Sequence, residues 1–407
     1  MSKFRLAHLG LVMAAVGFTL APPMLGLAPL AHAADTVRAE VGKPLQEAQR
    51  LASSGKSKEA LARLRDADAI GNKTAFETYQ IERVRASAAA ASGDNATAIK
   101  AFEAVINSGR LSAAEAPKFT QALAGMYYRA KDWPNAITWI NRSLKDHEDA
   151  QMRELLVQTY YVSGNYAAAA KELQSSKNHN EGQLQMLANI QLKQGDKAGY
   201  VSTLEKLAGN YPKTSYWADL LNRVSGKPGF SDRLSLDVQR LRLGAGLLAK
   251  PGEFMEMSQL ALQASNPAEA VKIIDLGYKK GALGTGTDAP RHQRLKDLAA
   301  KTLAESQANA AKTEAEFIKN KDADGLGALG FAMVSNGQAD KGLDLMNQAV
   351  KMGSAKRPEE LKLHLGIAYA QAGKKANALS TLKTVQGGDG AADLARYWSL
   401  QINHPAA

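Results

Sequence analysis

Residues that could carry catalysis are scattered along this sequence. Gly55, Lys56 and Ser57 match the end of a phosphate-binding loop, but that motif needs a glycine five positions before the Gly–Lys pair, where Arg50 stands. The chain contains no cysteine, which excludes a thiol nucleophile and a thiolate metal site. The histidines beyond residue 33 are far apart, without the spacing of a helical zinc site. They are His147, His179, His292, His364 and His404.

The acidic residues are compatible with one class of enzyme. Glu359 and Glu360 are adjacent on a predicted helix, so their carboxylates lie on different faces and suit the positive end of the helix dipole. A glycosidase needs two carboxylates that can be distant in sequence. We therefore expect a non-catalytic protein without a cofactor or a metal, and a glycan hydrolase with dispersed carboxylates remains an alternative.

The first residues predict export. Basic Lys3 and Arg5 precede an uncharged apolar stretch, and Ala31-His32-Ala33 has the A-x-A form of a cleavage site. We expect residues 1–33 to be a signal peptide and the mature chain to be periplasmic, with no stable membrane span after leader removal. Retention of the leader as an anchor is the alternative, because residues 9–30 carry no charge and could reach the length of a span.

The charge of the chain is moderately basic. There are 51 Lys and Arg residues against 40 Asp and Glu residues, a formal net charge of +11. These cations are spread along the chain rather than gathered in one block, which argues against nucleic-acid binding. An anionic glycan is a possible partner on charge alone.

Glycine turns recur between alanine-rich apolar runs and predict the elements that would position any site. Gly93-Asp94, Gly164-Asn165, Gly195-Asp196 and Gly373-Lys374 all have this setting. Gly164 and Gly195 are 31 residues apart, the length of one helical hairpin. No long period-two alternation appears, so we expect an all-α fold.

One unit carries a specific resemblance. Leu123, Ala124 and Tyr127 on a first helix, followed by Ala136 and Ile140 on a second, match the packing positions of the tetratricopeptide repeat. The chain therefore resembles the tetratricopeptide repeat (TPR) proteins, of the exported bacterial type without an assigned function. This resemblance implies a TPR-like α-solenoid, a right-handed superhelix of helical hairpins, with irregular hairpins in the middle.

The quality of the repeats divides the mature chain into three parts. Residues 34–212 are predicted as an N-terminal TPR array, residues 213–320 as irregular helical hairpins with one TPR-like unit, and residues 321–407 as a C-terminal TPR pair with a capping helix. Within the middle part, Arg291 to Ile318 reads as two alanine-rich helices. The capping helix is predicted from Ala391 to Ile402.

The family register also predicts a binding groove. In an α-solenoid of this kind the first helix of each hairpin lines the concave surface, and positions not needed for packing are available to a ligand. Aromatic rings, amides and cations at these positions could hold an extended peptide or an acidic group. The candidate residues are Arg83, Lys118, Gln121, Tyr128, Arg129, Gln151, Gln158, Tyr161, Asn189 and Lys193.

Together these features predict a periplasmic scaffold for protein–protein or protein–peptide interaction in the cell envelope. The first alternative is an accessory protein of peptidoglycan or exopolysaccharide machinery that contacts glycan. The glycan hydrolase described above is the second.

Overall fold

The structure, a computed structural model, describes residues 36–176 and 178–405 of the 407 residues. Within these ranges it contains twenty α-helices, one short 3-10 helix and no β-strand. The all-α prediction is confirmed. The predicted signal peptide, residues 1–33, lies outside the described residues.

The first compact unit, which ends at Lys177, is built from helical hairpins. Its described helices are α1 (Ala39–Ser53), α2 (Ser57–Asp68), α3 (Ala75–Ser92), α4 (Asn95–Asn107), α5 (Ala116–Arg129), α6 (Trp133–Asp146), α7 (Ala150–Val162) and α8 (Tyr166–Ser175). Each odd-numbered helix packs against the helix that follows it, and α2, α4 and α6 pack against the next hairpin. Each hairpin thereby buries an apolar face that it could not bury alone.

The second compact unit begins at Asn178. Its described helices are α9 (Glu181–Gln194), α10 (Lys197–Asn210), α11 (Thr214–Ser225), α12 (Ser235–Gly244), α13 (Pro251–Gln263), α14 (Pro267–Lys279), α15 (Ala289–Lys319), α16 (Ala323–Ser335), α17 (Ala339–Met352), α18 (Pro358–Gln371), α19 (Lys375–Leu382) and α20 (Ala391–Asn403). The 3-10 helix, Asp232–Leu234, precedes α12. Hairpins are formed by α9 with α10, α13 with α14, α16 with α17 and α18 with α19. The division into 34–212, 213–320 and 321–407 stays a prediction.

Turn chemistry explains where the helices end. Gly93 ends α3 with φ 77°, a left-handed conformation that glycine adopts without a steric penalty. Lys131 takes the same role after α5 with φ 59°, at the steric cost of a side chain. The carboxylates of Asp94, Asp132 and Asp196 then accept backbone N–H groups and begin α4, α6 and α10.

Small residues allow the two helices of a hairpin to approach closely. Ala124 on α5 and Ala136 on α6 are both fully buried, as the repeat pattern predicts. Tyr127 and Ile140 are buried in the same cluster. A larger side chain at either alanine would have to displace close-packed neighbours.

One predicted boundary is wrong. Residues 291–318 do not form two helices but lie within the single helix α15, which is 31 residues long. No glycine or proline interrupts this segment, and its Ala, Lys, Glu and Gln residues are strong helix formers. No described helix, α15 included, is long and apolar enough to cross a membrane.

The last helix closes the second unit. Helix α20 packs on α18 and α19 and also on α10 and α12. Arg396 pairs with Glu205 at 3.2 Å, and the side chain of Gln401 donates to the carbonyl oxygen of Leu241 at 3.2 Å. In a simple repeat array each repeat contacts only its neighbours. Here α20 contacts helices far away in sequence, since Arg396 and Glu205 are 191 positions apart and Gln401 and Leu241 are 160 positions apart.

Candidate binding surfaces

The predicted groove residues are divided between the two compact units. Arg83 lies on α3, whereas Asn189 and Lys193 lie on α9 of the second unit. The others lie on α5 and α7, the first helices of two successive hairpins of the first unit. These are Lys118, Gln121, Tyr128, Arg129, Gln151, Gln158 and Tyr161.

Arg83 connects one hairpin to the next. Its guanidinium lies 2.8 Å from a carboxylate oxygen of Glu115, immediately before α5, and donates to the hydroxyl of Tyr79 at 3.0 Å. Hydrogen bonds from Ser112, together with the charge of Arg83, lower the pKa of Glu115 below its ordinary value. The ion pair is partly buried, so it contributes to the packing of α3 on the following hairpin.

Gln121 forms an equivalent link one repeat later. Its amide donates to a carboxylate oxygen of Asp149 at 3.1 Å, and the other oxygen of Asp149 caps the start of α7. Arg83 and Gln121 therefore hold successive first helices together. A polar side chain at a predicted groove position can thus serve repeat stacking, which spacing alone does not reveal.

Two aromatic pairs stand where a first helix turns into a second helix. The ring of Tyr128 meets that of Trp133 edge-on at 5.5 Å, and Tyr161 meets Tyr166 edge-on at 5.7 Å. Tyr128 is half-buried, and burial raises its pKa. In each pair the edge of one ring packs against the face of the other, an arrangement that aromatic pairs favour.

Lys118, Arg129 and Gln151 differ from their neighbours. All are exposed, and their side chains have no hydrogen-bond or ion-pair partner among the residues that the structure describes. Gln158 is half-buried and has a long hydrogen bond of 3.4 Å to Glu154. Asn189 is half-buried and Lys193 is exposed. The residues most available to a partner in the first unit are therefore Lys118, Arg129 and Gln151, which we call the first-helix patch.

The second unit contains a buried ionic cluster that sequence reasoning missed. The guanidinium of Arg240 binds both carboxylate oxygens of Glu269 at 2.7 and 2.6 Å, and also Asp237 at 2.7 Å. All these side chains are buried. Two-point binding of this kind fixes both groups in a single geometry.

Hydrogen bonds extend the cluster over four helices. The amide of Asn266 donates to Glu269 at 3.0 Å and to the hydroxyl of Ser335 at 2.9 Å. On the other side, Nε2 of His364 lies 3.1 Å from Asp237. The cluster thereby joins α12, the start of α14, the end of α16 and α18.

The charges of the cluster stabilise one another. Burial alone would raise the pKa of Asp237, but His364 and Arg240 outweigh it and lower this pKa to about 2. Burial also opposes the charge of Arg240, yet Glu269 and Asp237 raise its pKa further above the ordinary value. Asp237 and Arg240 are therefore ionised at neutral pH. Removal of Arg240 would leave the buried carboxylates of Asp237 and Glu269 without their shared positive partner.

A cavity of about 670 Å³ opens beside this cluster. Asp237, Arg240 and His364 form part of its wall, and residues of α16, the starts of α12 and α18 and the end of α13 form the rest. Among the described residues, no group of three metal-ligating side chains is found. The lining combines charged side chains with apolar ones.

Stacked helical hairpins define the class of helical-repeat, or α-solenoid, proteins. Models of the tetratricopeptide repeat match residues 83–151 and 184–214. These matches identify tetratricopeptide repeats in the chain, and such repeats support a role as a protein-interaction scaffold. No curated protein matches it.

Solved structures with similar helices include several repeat proteins. Naa15/Naa10 bound to HypK-THB matches with 14% identity and a TM-score of 0.30 over 87% of this chain and 58% of that one. The TPR2AB-domain:pHSP90 complex of yeast Sti1 matches with 12% identity and a TM-score of 0.24 over 89% and 98%. A tetratricopeptide repeat protein from Parabacteroides merdae matches with 10% identity and a TM-score of 0.21 over 79% and 98%. TM-scores this low carry no argument about arrangement or function.

Proposed function

We propose that this protein is a periplasmic scaffold that holds another protein or a peptide in the bacterial cell envelope, and that it is not an enzyme. The predicted signal peptide at residues 1–33 supports the location. The matched tetratricopeptide repeats support the interaction role.

The first-helix patch carries the proposal. Arg83 and Gln121 are occupied by bonds between hairpins, whereas Lys118, Arg129 and Gln151 are exposed without partners among the described residues. The two cations can bind an acidic group of a partner, and the amide can form hydrogen bonds with the backbone of a bound peptide. Long side chains that make no bond within the protein can be bound by a partner without breaking a structural contact.

Affinity purification from a periplasmic extract tests this function. The tagged wild-type chain is compared with a Lys118→Ala, Arg129→Ala, Gln151→Ala variant. A Lys145→Ala, Lys171→Ala, Gln174→Ala variant is the control, because these exposed residues lie on the second helices α6 and α8 and their removal changes the net charge equally.

We expect the wild type and the control variant to recover the same envelope protein and the first-helix variant to lose it. Recovery of no reproducible partner, or equal recovery by both variants, would count against the proposal.

Contact with glycan in peptidoglycan or exopolysaccharide machinery is the second candidate. The edge-on pairs Tyr128–Trp133 and Tyr161–Tyr166 favour it, because sugar rings pack on aromatic side chains beside polar groups. Co-sedimentation with purified peptidoglycan tests it. Binding should disappear in a Tyr128→Ala, Arg129→Ala, Tyr161→Ala variant, and absence of binding by the wild type would exclude this role.

A further inference from the structure

The cavity of the second unit has the size of a small-molecule site. Its volume of about 670 Å³ lies within the range of roughly 300–1,000 Å³ that is typical of ligand pockets. It is bordered by the starts of α12, α16 and α18 and by the end of α13. The cavity contains no residue of the first-helix patch, so a ligand site here does not depend on the scaffold function proposed above.

Two cations at the cavity are available to a ligand. Lys356 and Arg357 immediately precede α18, and both are exposed. Their side chains have no partner in the part of the chain that the structure describes. A ligand carboxylate therefore has a favourable position beside Lys356 and Arg357.

Carboxylate oxygens at the same cavity are available to a cation. Asp232 is exposed and, within the described ranges, its side chain has no partner. Asp322 uses Oδ1 to cap α16, accepting from Gly325 at 2.9 Å, and its Oδ2 accepts no hydrogen bond from the described residues. These oxygens can accept hydrogen bonds from a ligand ammonium group.

Some of the remaining charges of the lining already have a charged partner, such as Arg233, which bonds to Glu360 at 3.3 Å. Asp324 accepts the backbone N–H of Lys356 at 2.9 Å through Oδ2 and, like Asp322, keeps its other oxygen for a ligand. Arg240 and Asp237 belong to the buried cluster. A ligand in this cavity therefore meets both positive and negative side chains that have no charged partner.

Apolar side chains complete the lining. Leu236 and Leu361 are buried and Leu260 is half-buried, and all of them border the cavity. His364, whose side chain is one-quarter exposed, is held by Asp237 through Nε2, which leaves its other ring nitrogen for a further hydrogen bond. An apolar wall with a few placed polar groups is the usual composition of a ligand pocket.

We propose that this cavity binds a short peptide with free amino and carboxyl termini. Its carboxylate lies against Lys356 and Arg357, and its ammonium group lies against Asp232 and Asp322. The apolar wall receives a side chain of the peptide. A singly charged molecule of the same size would leave charges of one sign unpaired, and a neutral one would leave charges of both signs unpaired.

Isothermal titration calorimetry of the mature full-length chain tests the proposal with defined probes. The tripeptide Ala-Leu-Ala is compared with its N-acetylated form, its C-terminal amide and free leucine. We expect binding of the unblocked tripeptide and a loss of at least tenfold in affinity when either end is blocked. Leucine reports whether a single zwitterionic residue is sufficient.

Matched variants then assign the contacts. A Lys356→Ala, Arg357→Ala variant should lose at least tenfold in affinity for the unblocked peptide and much less for the amide. An Asp232→Asn variant should instead lose affinity mainly for the peptide with a free amino end. The control is a Lys375→Ala, Lys383→Ala variant. It removes two exposed cations, one in α19 and one at the residue that follows this helix, and it should bind the peptide as the wild type does.

Several results would overturn the proposal. They are absence of binding by every probe at millimolar concentration, equal binding of blocked and unblocked peptides, and equal weakening by the control variant. Because the altered residues are exposed, thermal unfolding of each variant should match that of the wild type, which separates loss of binding from loss of folding.

Discussion

The close approach of α16 and α17 predicts a large effect of a single methyl group. Gly342 on α17 faces Gly330 on α16, and a Cβ atom at Gly342 would lie 2.4 Å from the carbonyl oxygen of Gly330. It would also lie 2.8 Å from the backbone nitrogen of Val334. Backbone atoms inside helices cannot move aside as the end of a side chain can. The substitution Gly342→Ala should therefore separate the two helices.

The expected change in the free energy of unfolding is the sum of two opposing contributions. Alanine is favoured over glycine inside a helix by about 0.5–1 kcal/mol. Overpacking of a close-packed core costs about 1–3 kcal/mol, and the contacts with backbone place this case at the upper end. We expect Gly342→Ala to lower the free energy of unfolding by about 2 kcal/mol. In a unit of this size that corresponds to a decrease in Tm of roughly 4–8 °C.

Urea denaturation followed by far-UV circular dichroism measures this change. The control is Gly252→Ala on α13, where a Cβ atom would meet no atom within 4 Å. The control should keep or raise the free energy of unfolding. If Gly342→Ala is as stable as the wild type, or if both variants lose stability equally, the close contact between α16 and α17 is not as described.

Further predictions concern the buried cluster, one turn and the leader. Glu269→Gln should destabilise the protein by about 1.5–3 kcal/mol in urea denaturation, because Arg240 would lose its bidentate partner and keep only its ion pair with Asp237. The pKa of Asp237 is about 2 in the folded protein against 3.8 ordinarily, so the unfolded chain binds more protons between these values. The stability that Asp237 contributes should be complete above about pH 4 and lost as the pH falls towards 2, and an Asp237→Asn variant should lack this loss in thermal unfolding scans. Lys131→Gly should raise Tm by a few degrees, because glycine relieves the left-handed conformation at φ 59°. Intact mass spectrometry of the exported protein should give a chain that begins at Ala34, and a mass that includes residues 1–33 would show that the leader is retained.

Local signals in the sequence are sufficient to predict most of the helices and the turns between them. Gly93 and Gly195 end helices in the left-handed conformation, and the aspartates after them cap the next helices, so each hairpin is specified by a few adjacent residues. The prediction of two helices in residues 291–318 is wrong because alanine-rich sequence is compatible with one helix or two, and only the absence of a helix-breaking residue decides between them.

The candidate sites depend on distances that local signals do not contain. Arg83 and Gln121 were predicted for the groove by register, but their bonds to Glu115 and Asp149 come from the stacking of the next hairpin. The cavity of the second unit assembles residues without any shared spacing. His364 and Asp237, for example, are 127 residues apart, so no periodic pattern marks their contact.

The central claim is that the first-helix patch binds a partner protein, and site-specific photo-crosslinking in living cells tests it most directly. A photoreactive amino acid replaces Arg129 or Gln151 in the first-helix patch, and Lys145 or Lys171 on the second helices as controls. We expect both patch positions to form a crosslink to the same envelope protein and the control positions to form none. Absence of an adduct at both patch positions, or adducts of equal yield at the controls, would contradict the claim.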